Sequence, residues 1–267
     1  MDSDQRHTVL DLLVNDYRKD KNARKDLDYD LVTYIKYEYA TRADETKKLL
    51  ELDQVQRILL RFDITMGRSL DIGCATGRYP FWLASRGFKA TGYDISEEAI
   101  NICQKRSVNS PLSTQPMFKL KDITRSEVPS DYFTLVTSMM GTFNHIEPND
   151  RLKFLTRAYQ ALAQGGLIIL STWNPTCPYP GFLNFYVREE REKIIKCALL
   201  PEELLSLLKT VGLINIHVEH FCFLPDICYD AWSPEITEEQ IIDVDKKLSL
   251  TLHNRNSQMY VIFGQKL

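Results

Sequence analysis

The chain has 267 residues, 44% of them hydrophobic and 26% charged, with a formal charge of −3. That is enough apolar material for a sizeable core, with none of the compositional bias of a disordered chain or of a uniformly cationic nucleic-acid binder. No run reaches the ~20 apolar residues of a membrane span, and no apolar segment follows the polar start Met1-Asp2-Ser3-Asp4, so the expected location is the cytoplasm.

The first sixty residues read as a helical arm and lid, and residues 61–267 as one α/β domain. Val9 to Val14 and Leu49 to Leu60 repeat apolar residues at helical spacing. Between them stand Tyr17, Tyr29, Tyr34, Tyr37 and Tyr39, followed by Arg42. A phenol shields a ligand from water while its hydroxyl hydrogen-bonds, so Tyr34 and Tyr37 are substrate-side candidates; the alternative is half-buried wedges on a surface helix.

Ser69-Leu70-Asp71-Ile72-Gly73-Cys74-Ala75-Thr76-Gly77-Arg78 follows, a buried strand ending in Asp-x-Gly-x-x-x-Gly and opening into a helix. Glycine there lets a ligand approach bare backbone, and the helix start offers unpaired N–H groups. A pyrophosphate fingerprint requires Gly-x-Gly-x-x-Gly, and the spacing of Gly73 and Gly77 argues against NAD. A second apolar strand ends in Asp94-Ile95 about 20 residues downstream, the distance of a ribose-binding acid. The strand from Met117 ends in Asp122-Ile123, which places a carboxylate for an adenine amino group, with Ile95 and Ile123 as cover for the ring. Three strand ends, each carrying an acid, suit a nucleoside without phosphates.

These residues together resemble the class I S-adenosylmethionine-dependent methyltransferases. Leu70 to Gly77 is similar to that family's first motif, Asp94 to its ribose acid and Asp122 to its adenine acid. The resemblance implies S-adenosylmethionine as cofactor, with Asp71, Gly73, Cys74, Gly77 and Met139 also around it. The arm is similar to that of glycine and sarcosine N-methyltransferases, which implies that Arg42 binds the cofactor's carboxylate; otherwise Arg42 pairs with Asp44 or Glu45.

Gly87 is expected to close the helix from Tyr79, and Ser96 to cap the next. Repeated strand-helix-strand alternation predicts a doubly wound, mostly parallel sheet, and the resemblance implies seven strands in a Rossmann-like fold with an antiparallel C-terminal strand. The strand Phe133 to Met140 delivers Gly141-Thr142-Phe143-Asn144-His145 to the crevice beyond the strand ends. His145 is the candidate base or orienter, because imidazole titrates near neutrality; the alternative is a structural histidine. Asn144 either orients an acceptor or caps the turn.

A helix from Asp150 is expected to stop at Gln164-Gly165-Gly166 before the strand Leu167 to Trp173. Aromatic insertions are expected near 174–200 and 225–252, with Trp173 on the substrate side, Tyr229 and Trp232 covering either the substrate or a partner surface, and a helix opening at Thr237 under a capping box shifted by one. Glycine N-methyltransferases place an arginine about where Trp173 stands and an asparagine about where Gly141 stands, which favours an acceptor with an apolar or aromatic portion. The six cysteines show no Cys-x-x-Cys pairing and read as reduced, and period-2 alternation separates His217 from His220 and Cys222, so no metal is expected.

The leading expectation is methyl transfer to nitrogen or oxygen of a small molecule, with no nucleic-acid or membrane partner. The alternatives are a protein or RNA methyltransferase and a cofactor-binding module without catalysis.

Overall fold

The computed structural model describes residues 41–178, 197–233 and 235–267. The expected helix at Val9 to Val14, the five arm tyrosines including Tyr34 and Tyr37, and the aromatic loop from Tyr179 to Phe182 lie outside the described residues.

Helix α1 (Arg42–Arg61) opens with a capping box, in which Asp44 N donates to Thr41 Oγ1 and Thr41 N donates to the Asp44 carboxylate. Then come β1 (Gly67–Ile72), α2 (Arg78–Ser85), β2 (Phe88–Asp94), α3 (Glu97–Asn109), β3 (Met117–Leu120) and β4 (Phe133–Ser138). After these follow α4 (Arg151–Ala161), β5 (Leu162–Trp173), α5 (Pro201–Thr210), β6 (Ile214–Phe221), α6 (Asp226–Asp230), α7 (Glu238–Thr251) and β7 (Met259–Gln265).

The strands form one seven-stranded sheet in the order β3-β2-β1-β4-β5-β7-β6. β1 pairs in parallel with both β2 and β4, and β7 runs antiparallel between β5 and β6. The chain leaves β1 toward β2 and β3, then crosses to β4 on the other side. That reversal puts a crevice beyond the C-terminal ends of β1 and β4, where ligands bind in open α/β sheets.

Side chains alternate across the pleat, and this alternation builds two cores. Leu167 and Ile169 of β5 with Val261 and Phe263 of β7 pack under Val55, Ile58 and Leu83 of α1 and α2. Ile168, Leu170, Tyr260 and Ile262 pack on the opposite face with Phe154, Leu155, Leu204 and Leu208 of α4 and α5.

The expected termini at Gly87 and Ser96 are present: Gly87 has φ +89, and Ser96 Oγ accepts from Ala99 N. Two details differ from the sequence reading, and a third adds to it. Helix α4 stops at Ala161, and Gly165 and Gly166 lie inside β5, where the register with β4 shifts; a Cβ on Gly166 would meet Ala163 O at 2.8 Å. The α7 capping box is unshifted, Thr237 Oγ1 accepting from Gln240 N and Gln240 Oε1 from Thr237 N. The insertion 225–252 packs on α1: Asp230 Oδ1 accepts from Ala43 N at 2.8 Å, and Lys47 Nζ lies 2.7 Å from Asp226 Oδ1.

Candidate functional site

The loop between β1 and α2 is held against β2 by backbone bonds from Gly73 N and Cys74 N to Tyr93 O. Gly73 has φ +77, and a Cβ there would stand 2.3 Å from Thr142, so the β1 and β4 loops approach at a distance that only glycine allows. Gly77 is the N-cap of α2 and supplies no side-chain cap, which leaves the first-turn N–H groups to other acceptors.

Asp94 ends β2 beside this loop. It is buried, Oδ2 accepts from Ala75 N at 2.7 Å and Oδ1 from Ser96 N at 2.9 Å, so both oxygens are oriented by backbone. Ile95, next to it, is 75% exposed. β3 ends at Leu120, so Asp122 lies just past its tip; Oδ1 accepts from Thr124 N and Oγ1 at 2.8 and 2.7 Å, and the side chain stays partly open. Ile123, expected to cover the same ring as Ile95, packs instead in the core with Tyr93 and Phe143. Met139 is likewise buried, in the core beneath α1.

Cys74 and Cys103 converge on one carbonyl, with Sγ atoms 3.9 and 3.1 Å from Ala75 O. Their mutual hydrogen bond and then burial push the Cys74 thiol far above its ordinary range, so it stays protonated.

Asp71 lies one pleat inside the β1 tip and is buried. Thr137 Oγ1 of β4 donates to it at 2.7 Å. Burial pushes its carboxyl up to about 7; the Thr137 bond and the Arg78 guanidinium oppose the shift, and the negative charges of Glu51 and Asp94 add to it.

Glu51 was not singled out by the sequence reading. It is a fully buried carboxylate on α1, and Arg78 Nη2 and the Tyr79 hydroxyl donate to Oε2 at 3.0 and 2.9 Å. Met140 N donates to Oε1 at 2.8 Å, and the Ser171 hydroxyl donates to the same oxygen. The signal was present in the sequence: Glu51 stands four residues before Val55 and seven before Ile58, an acid in an apolar slot of the helix.

In the structure Arg42 Nη2 donates to Ser233 O at 2.8 Å. At 1.5 Å of rise per residue, it sits about 13 Å along α1 from Glu51.

On the β4 side, Met140 and Gly141 both take positive φ, +51 and +75. The indole of Trp173, at the end of β5, packs on Gly141, where a Cβ would stand 2.3 Å from Nε1. The two departures read from the sequence are thus one contact. Trp173 itself is buried. Asn144 is buried, and its Oδ1 accepts from Thr172 Oγ1 at 2.5 Å and Trp173 N at 3.4 Å, which ties the turn to β5. His145, one residue on, is exposed. Trp232 stands edge-on to Tyr229 at 5.1 Å, against the α1 side of the core. Asp94, Ile95 and Asp122 are thus gathered at one end of the sheet, and Gly141, Asn144 and His145 beyond β4.

No described helix is long and apolar enough to cross a membrane. Residues 70–166 match the family model of a methyltransferase domain. A Bacillus subtilis (strain 168) protein described as a methyltransferase, YqeM, is 30% identical over 105 residues, 39% of this chain and 41% of that one. A Geobacillus protein (strain WCH70) of the same description is 31% identical over 103 residues, 38% and 40% of the two chains. The chain therefore spans about two fifths of the length of the curated relatives it matches. Among solved structures, phosphoethanolamine N-methyltransferase 2 of Haemonchus contortus in complex with S-adenosyl-L-methionine superposes with a TM-score of 0.56 at 20% identity, over 80% of this chain and 52% of that one. An S-adenosylmethionine-dependent methyltransferase of Mesorhizobium loti gives a TM-score of 0.56 at 20% identity over 81% and 98%. The chain has the Rossmann-like methyltransferase fold, and its segment 70–166 matches the methyltransferase domain.

Proposed function

We propose that this protein transfers a methyl group from S-adenosylmethionine to a nitrogen or oxygen atom of a small-molecule acceptor with an apolar or aromatic portion. The observation that carries the reading is Asp94, a buried carboxylate fixed by two backbone N–H groups at a strand tip, beside a glycine loop and an exposed isoleucine. This arrangement suits a sugar and a base ring with no phosphate. Asp94 accepts the ribose hydroxyls, Asp122 the adenine amino group, and Ile95 covers the ring. Bound there, the cofactor supplies a methyl group already activated by its sulfonium.

What remains for the chain is alignment, which in well-oriented systems is worth about 7–11 kcal/mol. The Gly141 to His145 turn lies on the acceptor side, with His145 taking a proton where the acceptor starts protonated. Trp173 on Gly141 makes this wall apolar where glycine N-methyltransferases are similar in their arm but carry an arginine; that contrast supports an acceptor with an apolar part. Arg42 keeps the cofactor-carboxylate role that the arm's resemblance implies.

The test is incubation with isotopically labelled S-adenosylmethionine and a metabolite extract. Label in a small acceptor is the expected outcome. Label in the high-mass fraction would shift the reading to a protein or RNA methyltransferase, and calorimetric cofactor binding without any turnover to a binding module. Asp94→Ala is expected to weaken S-adenosylhomocysteine binding by about 2–4 kcal/mol through lost charge-assisted hydrogen bonds; unchanged affinity would refute the ribose role.

A further inference from the structure

We propose that Glu51 is a positioning residue that ties the glycine-loop helix to the loop after β4, so that cofactor occupancy and the shape of the acceptor-side wall are coupled through one carboxylate. The proposal rests on the methyl-transfer reading above and adds a device to it.

Glu51 uses both oxygens on two different elements. Oε2 faces α2, accepting from Arg78 Nη2 and the Tyr79 hydroxyl, the first two residues after the glycine loop. Oε1 faces the other way, accepting from Met140 N and the Ser171 hydroxyl. Met140 is the residue that most needs a fixed partner. A non-glycine residue at φ +51 lies in a sparsely populated region and persists only where its surroundings over-determine it. Its N–H is shared between Glu51 Oε1 and Ser171 Oγ, at 2.8 and 2.7 Å. Gly141 and the Trp173 indole follow directly, so the wall that meets an acceptor is hung from this bond.

A carboxylate is the group that can hold both sides. Glutamine has the same shape but one acceptor end and one donor end. With its oxygen toward Met140 and Ser171, its NH2 confronts the Arg78 guanidinium. Flipped, the NH2 confronts the Met140 N–H. Either way one side of the bridge is lost without a change in volume, and full burial leaves no water to repair it.

The full chain is tested with S-adenosylhomocysteine in a background where Trp82→Phe and Trp232→Phe leave Trp173 as the sole tryptophan. Calorimetry reads affinity and the emission of Trp173 reads the acceptor-side wall. In the parent, ligand binding changes the emission. Glu51→Gln is expected to bind about tenfold to a hundredfold more weakly and to lose the emission change at saturating ligand. Arg78→Met is expected to weaken binding, and to add little when combined with Glu51→Gln. An affinity within twofold of the parent, an intact emission change in Glu51→Gln, or a parent whose emission never responds would each overturn the proposal. If Glu51→Gln does not fold, Tyr79→Phe and Ser171→Ala each remove one donor: the first is expected to lower affinity and the second to blunt the emission change, and no effect from either overturns it. A parent that binds no S-adenosylhomocysteine would defeat the methyl-transfer reading itself.

Discussion

Gly141 and Trp173 show how a pair of residues far apart in the chain settles the character of a wall. Gly141 has φ +75 and no room for a Cβ against the indole. Gly141→Ala therefore combines left-handed strain with overpacking and is expected to cost about 2–4 kcal/mol in urea unfolding. Adding Trp173→Ala should recover the packing part and leave about 1–2 kcal/mol of backbone cost; equal losses for Gly141→Ala in both backgrounds would show that the indole is not the obstacle. Both residues stood out in the sequence, but their contact did not, because strand β5 reaches the β4 loop only through the sheet register. Ile123 and Asn144 teach the same point. Chain position placed them at the crevice, whereas the turn after β3 carries Ile123 into the core and a hydrogen bond turned Asn144 Oδ1 toward β5.

At the scale of elements, α1 is the informative one. Its existence was readable from apolar periodicity, and its partners were not. The buried face carries Lys47 and Glu51 one turn apart, yet Lys47 pairs with Asp226 of α6 and Glu51 with Arg78 of α2. The shortest contacts of both charges are to residues more than 25 positions away, which no local pattern announces; the 3.9 Å approach of Lys47 to Asp44 is local. Removing one member of a buried pair strands the other in a low-dielectric site. Lys47→Met is thus expected to destabilise by about 3–5 kcal/mol in chemical denaturation. Lys47→Met with Asp226→Leu should regain part of that loss, since the Asp226 charge is no longer stranded and Asp44, 3.9 Å from Lys47, stays without that cation; a double variant no better than the single one would show that the Lys47–Asp226 pair is not the reason for the loss. The glycines at 165 and 166 show the converse error, in which a local stop signal for a helix turned out to serve a strand irregularity.

For the molecule as a whole, several buried acids set an unusual pH response. Burial raises Asp44 and Asp245 from 3.8 to about 6 and Asp71 to about 7. The folded state then holds protons that the unfolded chain releases, so stability contributed by these groups falls as pH rises from about 4 to about 7. His220 works in the opposite direction: burial lowers it from 6.5 to about 4, so its contribution is lost as pH falls through that window. Asp71→Asn is expected to gain on the parent progressively between pH 4 and pH 7, by a few kcal/mol at pH 8. A gap in melting temperature that is the same at pH 4.5 and pH 8 would show that the Asp71 carboxyl is not held up in the fold.

The sequence by itself determined the strand-helix alternation, the glycine loop and the acids at successive strand ends, because these are local features of period, spacing and turn chemistry. From them came the parallel sheet and the expectation of a nucleoside site. Only the tertiary structure decided which acid is buried, what Arg42 touches and that Glu51 bonds to α2, to β5 and to the loop after β4, because those outcomes depend on which surfaces meet across the sheet. Burial and pairing are properties of contacts distant in the chain, and the free energy of a charge is fixed by them rather than by its neighbours in sequence.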